Sequence, residues 1–152
     1  LMKLILAAGG IALSLLTSGI IVGLGFVAAA AKFTATRPSL LELLDVGRTQ
    51  FSALHLLEWI LVPAACLSLV LGLPRLWKWA AATGAVFVVQ MLVVVPPLSE
   101  RMTARLAEKP LPAGSAHDWY VWVALALSLL LTGQGLAGIW RTRREAEAGS
   151  VR

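Results

Sequence analysis

Apolar residues fall into four long blocks separated by short polar stretches. The first runs from Leu4 to Ala31 without a charged residue. It is longer than the roughly 7 to 15 apolar residues of a secretory signal and reads as a membrane helix. The second, Phe51 to Leu73, carries His55 and Glu58 in its first turns and Pro63 within its length. The third runs from Trp79 to Pro97, where the Pro96-Pro97 pair removes two backbone donors and crowds the preceding turn, so a helix is expected to stop there. The fourth, Trp119 to Trp140, is uncharged throughout. Each block suits a hydrocarbon core of about 30 Å, which takes about 20 residues of helix. The expected fold is all-α, a four-transmembrane-helix bundle forming a single integral membrane domain over residues 1–152, with spans at about 4–31, 51–73, 79–97 and 119–140.

The connections add helix starts. Ser39 with Glu42, and Ser115 with Asp118, each have the spacing of a capping box. A helix opening after Ser39 and running unbroken to Leu73 would be about 51 Å long. It is therefore expected to bend at Gly47 or to lie partly on the membrane surface. After the double proline, Leu98, Met102 and Leu106 recur at helical spacing among Glu100, Arg101, Arg105 and Lys109, the pattern of an amphipathic interfacial helix. Short interfacial helices are thus expected in the first and third loops.

Composition agrees with the pattern. Hydrophobic residues make up 59% of the 152 and charged residues 14%, against about 25% charged in an ordinary soluble domain. A soluble enzyme with one globular core is excluded, and four spans leave room only for short loops and ends. The single cysteine, Cys66, permits no intrachain disulfide and reads as a small hydrophobe. The net charge of +5 would suggest nucleic acid in a soluble chain. In a membrane protein it marks ends facing anionic lipid, so the bilayer is the expected partner and nucleic acid is not.

Four spans put both termini on one face, here called face A, together with the loop holding Arg75 and Lys78. Its basic residues are Lys3, Arg75, Lys78, Arg141, Arg143, Arg144 and Arg152, and its acids only Glu145 and Glu147. Face B holds Lys32, Arg37, Arg48, Arg101, Arg105 and Lys109 with all six remaining acids. The basic cluster after Trp140 lies directly beside a span end, so face A is expected to be cytoplasmic, in a bacterial cytoplasmic membrane. Trp77, Trp79 and Trp140 at face A, and Trp119, Tyr120 and Trp122 at face B, form two interfacial aromatic belts.

Candidate chemistry gathers toward face B. On one helix Arg48, His55 and Glu58 fall within an arc of about 80°. Counted from the span boundary, Glu58 lies about 6 Å inside the hydrocarbon, where an ionisable group must face the bundle or a wet cavity. His55 and Glu58 could ligate a metal, relay protons, or form half of a haem or quinone site. The plainer alternative is an internal pair of Glu58 with Arg48 or His55. Gln90, about 10 Å inside from Pro97, needs a partner and suits interhelical glue as well as a ligand contact. Arg101 after the third span and His117 opening the fourth could converge on the same place, with His117 a further candidate metal ligand. Residues 133–138 read Gly-Gln-Gly-Leu-Ala-Gly, but a dinucleotide fingerprint follows a strand and opens a helix, whereas this one ends a membrane helix. Gly19 and Gly23 fit the small-residue face by which membrane helices approach closely, within the chain or against another chain.

Lys32-Phe33 after the first span, His55 in the second, Gln90 with Pro97 and Arg101 around the end of the third, and His117 opening the fourth together resemble a pattern in small bacterial four-helix membrane proteins grouped loosely with copper-resistance-D-like domains. The resemblance implies a copper-related or small-ligand role centred on His55 and His117. The chain's methionines are only Met2, Met91 and Met102, with no methionine-rich segment. Size, the lack of a strong catalytic motif and the glycine-faced helices lead to the expectation of an accessory or scaffolding subunit, partnered by other membrane subunits or by itself. The alternatives are a membrane protein binding haem, quinone or metal at the face-B polar site, and a small permease.

Overall fold

The computed structural model describes residues 1–34, 39–110 and 114–150. Arg37 and Arg152, counted above in the charge of the two faces, lie outside them. Four helices carry the fold: α1 (Met2–Ala31), α2 (Leu40–Gly72), α3 (Pro74–Leu106) and α4 (Ala116–Ser150). All four are long and apolar enough to cross a membrane, and no strand occurs among the described residues. The protein is an all-α, four-helix integral membrane bundle.

The helices run alternately up and down. Gly10 near the start of α1 meets Leu69 near the end of α2, and Ser18 in α1 bonds Ser128 in α4, while Ser14 reaches Gln134 further along. Both termini therefore share face A.

Every helix is longer than its apolar block, α4 by ten residues at its end, and two of them pass points where a bend or a stop was expected. The Ser39 capping box forms, with the Ser39 N–H donating to the Glu42 carboxylate at 2.6 Å and the Glu42 N–H donating to Ser39 Oγ at 3.3 Å. From there α2 continues for 33 residues through Gly47 and Pro63, about 50 Å by helical rise. The expected bend at Gly47 is replaced by a different use of that residue: Gly47 is buried, and the space a Cβ would fill is taken by the Lys32 side chain. The third span likewise does not stop at Pro96-Pro97, since α3 runs on to Leu106. A π-helical turn, Gln90–Val94, lies directly before the prolines. Its extra residue per turn shifts the hydrogen-bond register ahead of residues that cannot donate to the preceding turn. Both interfacial segments are thus extensions of spans. α1 carries a second π-helical stretch, Ile21–Ala28.

Glycines fix the close approaches at the face-A end. A Cβ at Gly10 would stand 2.5 Å from the Leu69 backbone nitrogen, and one at Gly72 would collide with the Ala7 backbone. The glycines of 133–138 do the same for α4: Gly133 receives the Trp79 ring, Gly135 the Leu15 side chain and Gly138 that of Ile11. A Cβ at Gly19 or Gly23 would meet nothing of another helix within 4 Å among the described residues, so neither glycine close-packs a neighbouring helix there.

Candidate functional site

Two polar layers lie inside the bundle, and they differ in how fully they are satisfied. The first joins α1, α3 and α4 toward face A. Thr83 Oγ1 donates to Gln134 Oε1 at 2.9 Å, Gln134 Nε2 donates to Ser14 Oγ at 2.7 Å, and Ser14 Oγ donates to the Gly10 carbonyl at 2.6 Å. Ser18 Oγ lies 2.8 Å from both Ser128 Oγ and Thr132 Oγ1. None of the buried side-chain polar atoms of this layer lacks a partner. It is interhelical glue.

The second layer lies toward face B. Gln90, set in the π turn of α3, donates from Nε2 to Glu58 Oε2 of α2 at 2.9 Å. Both side chains are buried, at 0% and 1% exposure. One turn along α2 from Glu58, the His55 ring stands edge-on to Tyr120 of α4, with centroids 5.6 Å apart, and Phe51 stands edge-on to Tyr120 at 5.4 Å. The Tyr120 phenol is within electrostatic reach of the Glu58 carboxyl. Among the described residues His55 Nε2, Glu58 Oε1, Gln90 Oε1 and Tyr120 Oη have no hydrogen-bond partner although all four atoms are buried. An unmade bond to a buried group costs about 1–3 kcal/mol in a protein, and more in hydrocarbon, so such atoms mark places where something else binds.

Above this cluster, at face B, opens a cavity of about 480 Å³. Its walls include Phe26, Leu44, Leu98 and Met102, and Phe51 and Tyr120 also line it. Lys32, Arg101, Arg105 and His117 also line it, and no acidic residue does among the described residues. The extension of α3 past the prolines carries Leu98, Arg101, Met102 and Arg105 to this wall. Gly114, at φ 131°, occupies backbone space open chiefly to glycine, and its carbonyl accepts from the Arg101 guanidinium, tying the end of α3 to the turn before α4. Partial burial pushes the Lys32 ammonium below the ordinary lysine value of 10.5.

The structure therefore divides the sequence candidates. His55, Glu58 and Gln90 meet in one cluster, and Arg101 and His117 stand at the cavity over it. Arg48 is apart from both, exposed and paired with Asp45 at 2.8 Å. The internal partner of Glu58 is Gln90 rather than Arg48 or His55. No three His, Cys, Asp or Glu side chains gather as a metal group among the described residues, so His55, Glu58 and His117 do not form one there.

Tyr120 is the site residue that sequence reasoning missed. Trp119 and Trp122 are 64% and 66% exposed, as a belt requires, but Tyr120 is only 3% exposed. Its signal was periodic: Tyr120, Ala124, Leu127, Leu131 and Gln134 recur at alternating steps of four and three, and all five are buried. No family model, curated protein or solved structure matches the chain.

Proposed function

We propose that this chain is a membrane-embedded binding protein whose face-B cavity takes an amphipathic ligand with one apolar chain and an anionic, carboxylate- or phosphate-type head. The observation that carries this reading is the cavity itself: apolar walls for a chain, and Lys32, Arg101, Arg105 and His117 around it with no acid among them. A guanidinium holds such a head by charge-assisted hydrogen bonds worth about 1.5–3 kcal/mol each. Face A is then the cytoplasmic side of a bacterial membrane, by the basic cluster at Arg141, Arg143 and Arg144. The copper-related role implied by the sequence resemblance would rest on His55 and His117, around which no group of three His, Cys, Asp or Glu gathers among the described residues.

The test is native mass spectrometry of the protein in mild detergent, titrated with a monoacyl phosphate lipid, a fatty acid and a neutral monoacylglycerol. The two anionic probes are expected to bind one per chain, and Arg105→Ala to weaken them by about tenfold or more, since 1.4 kcal/mol is a factor of ten. Val121 also lines the cavity. Equal binding of the neutral probe, or anionic binding unchanged by both Arg105→Ala and a cavity-filling Val121→Trp, overturns the reading.

A second reading has its own support. Gly19 and Gly23 form a small-residue face of α1 that no helix of the bundle covers. This supports a role as an accessory or scaffolding subunit that docks another membrane helix there, whether from a different subunit or from a second copy. Bulky replacement at Gly19 or Gly23 is expected to release such a partner, and unchanged recovery of co-purifying chains would count against it.

A further inference from the structure

The cavity does not account for the polar layer beneath it. His55, Glu58 and Gln90 do not line the cavity, whereas Phe51 and Tyr120, which stand edge-on, do; one buried polar atom each on His55, Glu58, Gln90 and Tyr120 lacks a partner among the described residues. The contrast with Gln134 is informative. That amide has both ends bonded in the same bundle, whereas the Gln90 amide uses only its N–H. A chain able to satisfy one buried glutamine fully has left the other open at its carbonyl, next to the Glu58 carboxyl, in a layer that also holds an unpartnered imidazole and phenol.

The chemistry of the four atoms is that of a proton site. Glu58 Oε1 and Gln90 Oε1 accept, Tyr120 Oη donates or accepts, and His55 Nε2 does either according to tautomer. A buried water needs two to four polar partners, and this group supplies four. The groups facing Glu58 can be named helix by helix. α2 itself offers His55 one turn away, α3 offers the neutral amide of Gln90 and α4 offers Tyr120, while the α1 residues of the surrounding apolar core, Ile21 and Leu24, do not titrate. Among the described residues the cluster itself holds no lysine or arginine, and Lys32, Arg101 and Arg105 stand at the cavity instead. Both π-helical stretches adjoin it: Gln90 sits in one, and Gly25 and Phe26 of the other line the cavity. Such turns recur at functional sites because they displace one residue from regular helical register.

We propose that His55, Glu58, Gln90 and Tyr120 form a hydrated proton-binding site inside the membrane, loaded from face B through the cavity and past the Phe51–Tyr120 pair. On uptake one proton passes from face-B water to Glu58 Oε1, turning the carboxylate into the acid. On release it returns by the same route, and no electron moves. The Gln90 N–H holds Oε2 throughout, so Oε1 is the oxygen left to exchange. The site does not rest on what occupies the cavity, and would stand if no anionic lipid bound there.

Infrared difference spectroscopy on the full chain in lipid nanodiscs tests it. Stepping the pH is expected to raise and lower a carboxylic-acid carbonyl band that shifts when the sample is moved into heavy water. The band disappears in Glu58→Gln, persists in Glu100→Gln, and changes frequency in Tyr120→Phe. If Glu58→Gln does not fold, Glu58→Asp identifies the band by a displaced frequency instead. A parent protein with no carboxylic-acid band at any pH overturns the proposal. So does one whose band ignores pH and heavy water, since that is a sealed hydrogen-bonded pair. The anionic-probe titration above is a separate readout, so either proposal can fail alone.

Discussion

Replacing Gln134 by methionine isolates the worth of the satisfied polar layer. The side chain is wholly buried and bridges two other helices, accepting from Thr83 and donating to Ser14. Methionine keeps nearly the same length and volume, so no large cavity opens. Hydrogen bonds between membrane helices average about 0.6 kcal/mol and reach about 1.7. Two of them set an expected loss of about 1.2 kcal/mol with a ceiling of about 3.4. The lower figure is favoured by what remains: Ser14 Oγ still donates to the Gly10 carbonyl, and Thr83 can turn to the carbonyl one turn back in its own helix. Reversible unfolding in mixed micelles, followed by circular dichroism, measures the difference. Binding of the anionic probes and the carboxylic-acid band should be unchanged, since neither the cavity nor the Glu58 cluster is touched. A loss well beyond 3 kcal/mol would refute the assignment of this layer as ordinary interhelical glue, and so would a loss of probe binding in a folded variant.

Two further outcomes follow from the geometry. Gly72→Val drives side-chain atoms into the Ala7 backbone, which cannot rotate away, so a destabilisation of at least the ~1–3 kcal/mol of overpacking is expected. Gly19→Val, with open space around it, should stay within about 0.5 kcal/mol in the isolated chain, and equal losses in the two variants by the same micelle assay would refute the packing described. The alkaline pH response of the cavity is expected to follow Lys32. Because burial lowers its pKa in the folded chain, the unfolded chain holds the proton to higher pH. Folding stability from this group therefore rises as pH climbs through the window below 10.5, while affinity for an anionic head falls in that same window as the charge is lost. Lys32→Arg should keep anionic-probe affinity level through that window, and an unchanged alkaline fall in this variant would assign the effect to another group.

Much of this was legible in the chain itself, and the limits have physical causes. Four long apolar blocks, of which only the second holds a charged residue, declare four spans because hydrocarbon tolerates little else. Glu58, His55 and Gln90 declare themselves because a polar group in such a block needs a reason. Their pairing was not legible, since which residue of α3 meets Glu58 depends on the rotation of two helices about their axes. The arc containing Arg48 misled because angle on a helical wheel ignores distance along the axis. Ten residues separate Arg48 from Glu58, about 15 Å of rise, enough to place one at the exposed end and the other in the core. The double proline misled differently: it ends a regular helix, but a π turn directly upstream lets the helix pass. Tyr120 was hidden by its neighbours, because a tyrosine between two tryptophans at a span end reads as a belt until the stripe through Gln134 is traced.

The two ends of the bundle are built on opposite rules, and the difference bears on function. Toward face A, five glycines let side chains and backbones of neighbouring helices close to contact, and every buried side-chain polar atom in the layer above them is bonded. Toward face B, two helices widen into π turns, a cavity of about 480 Å³ opens, and four buried polar atoms lack partners among the described residues. Packing defects of this kind cost stability wherever they occur. They persist at one end only, where the other end is packed tightly enough to hold the helices in place. A chain whose sole role was to fill space between other subunits would have no use for that asymmetry, and apolar residues at positions 58, 90 and 120 would serve it better. The tight end therefore acts as the frame, and the open end is where binding and proton exchange are to be sought.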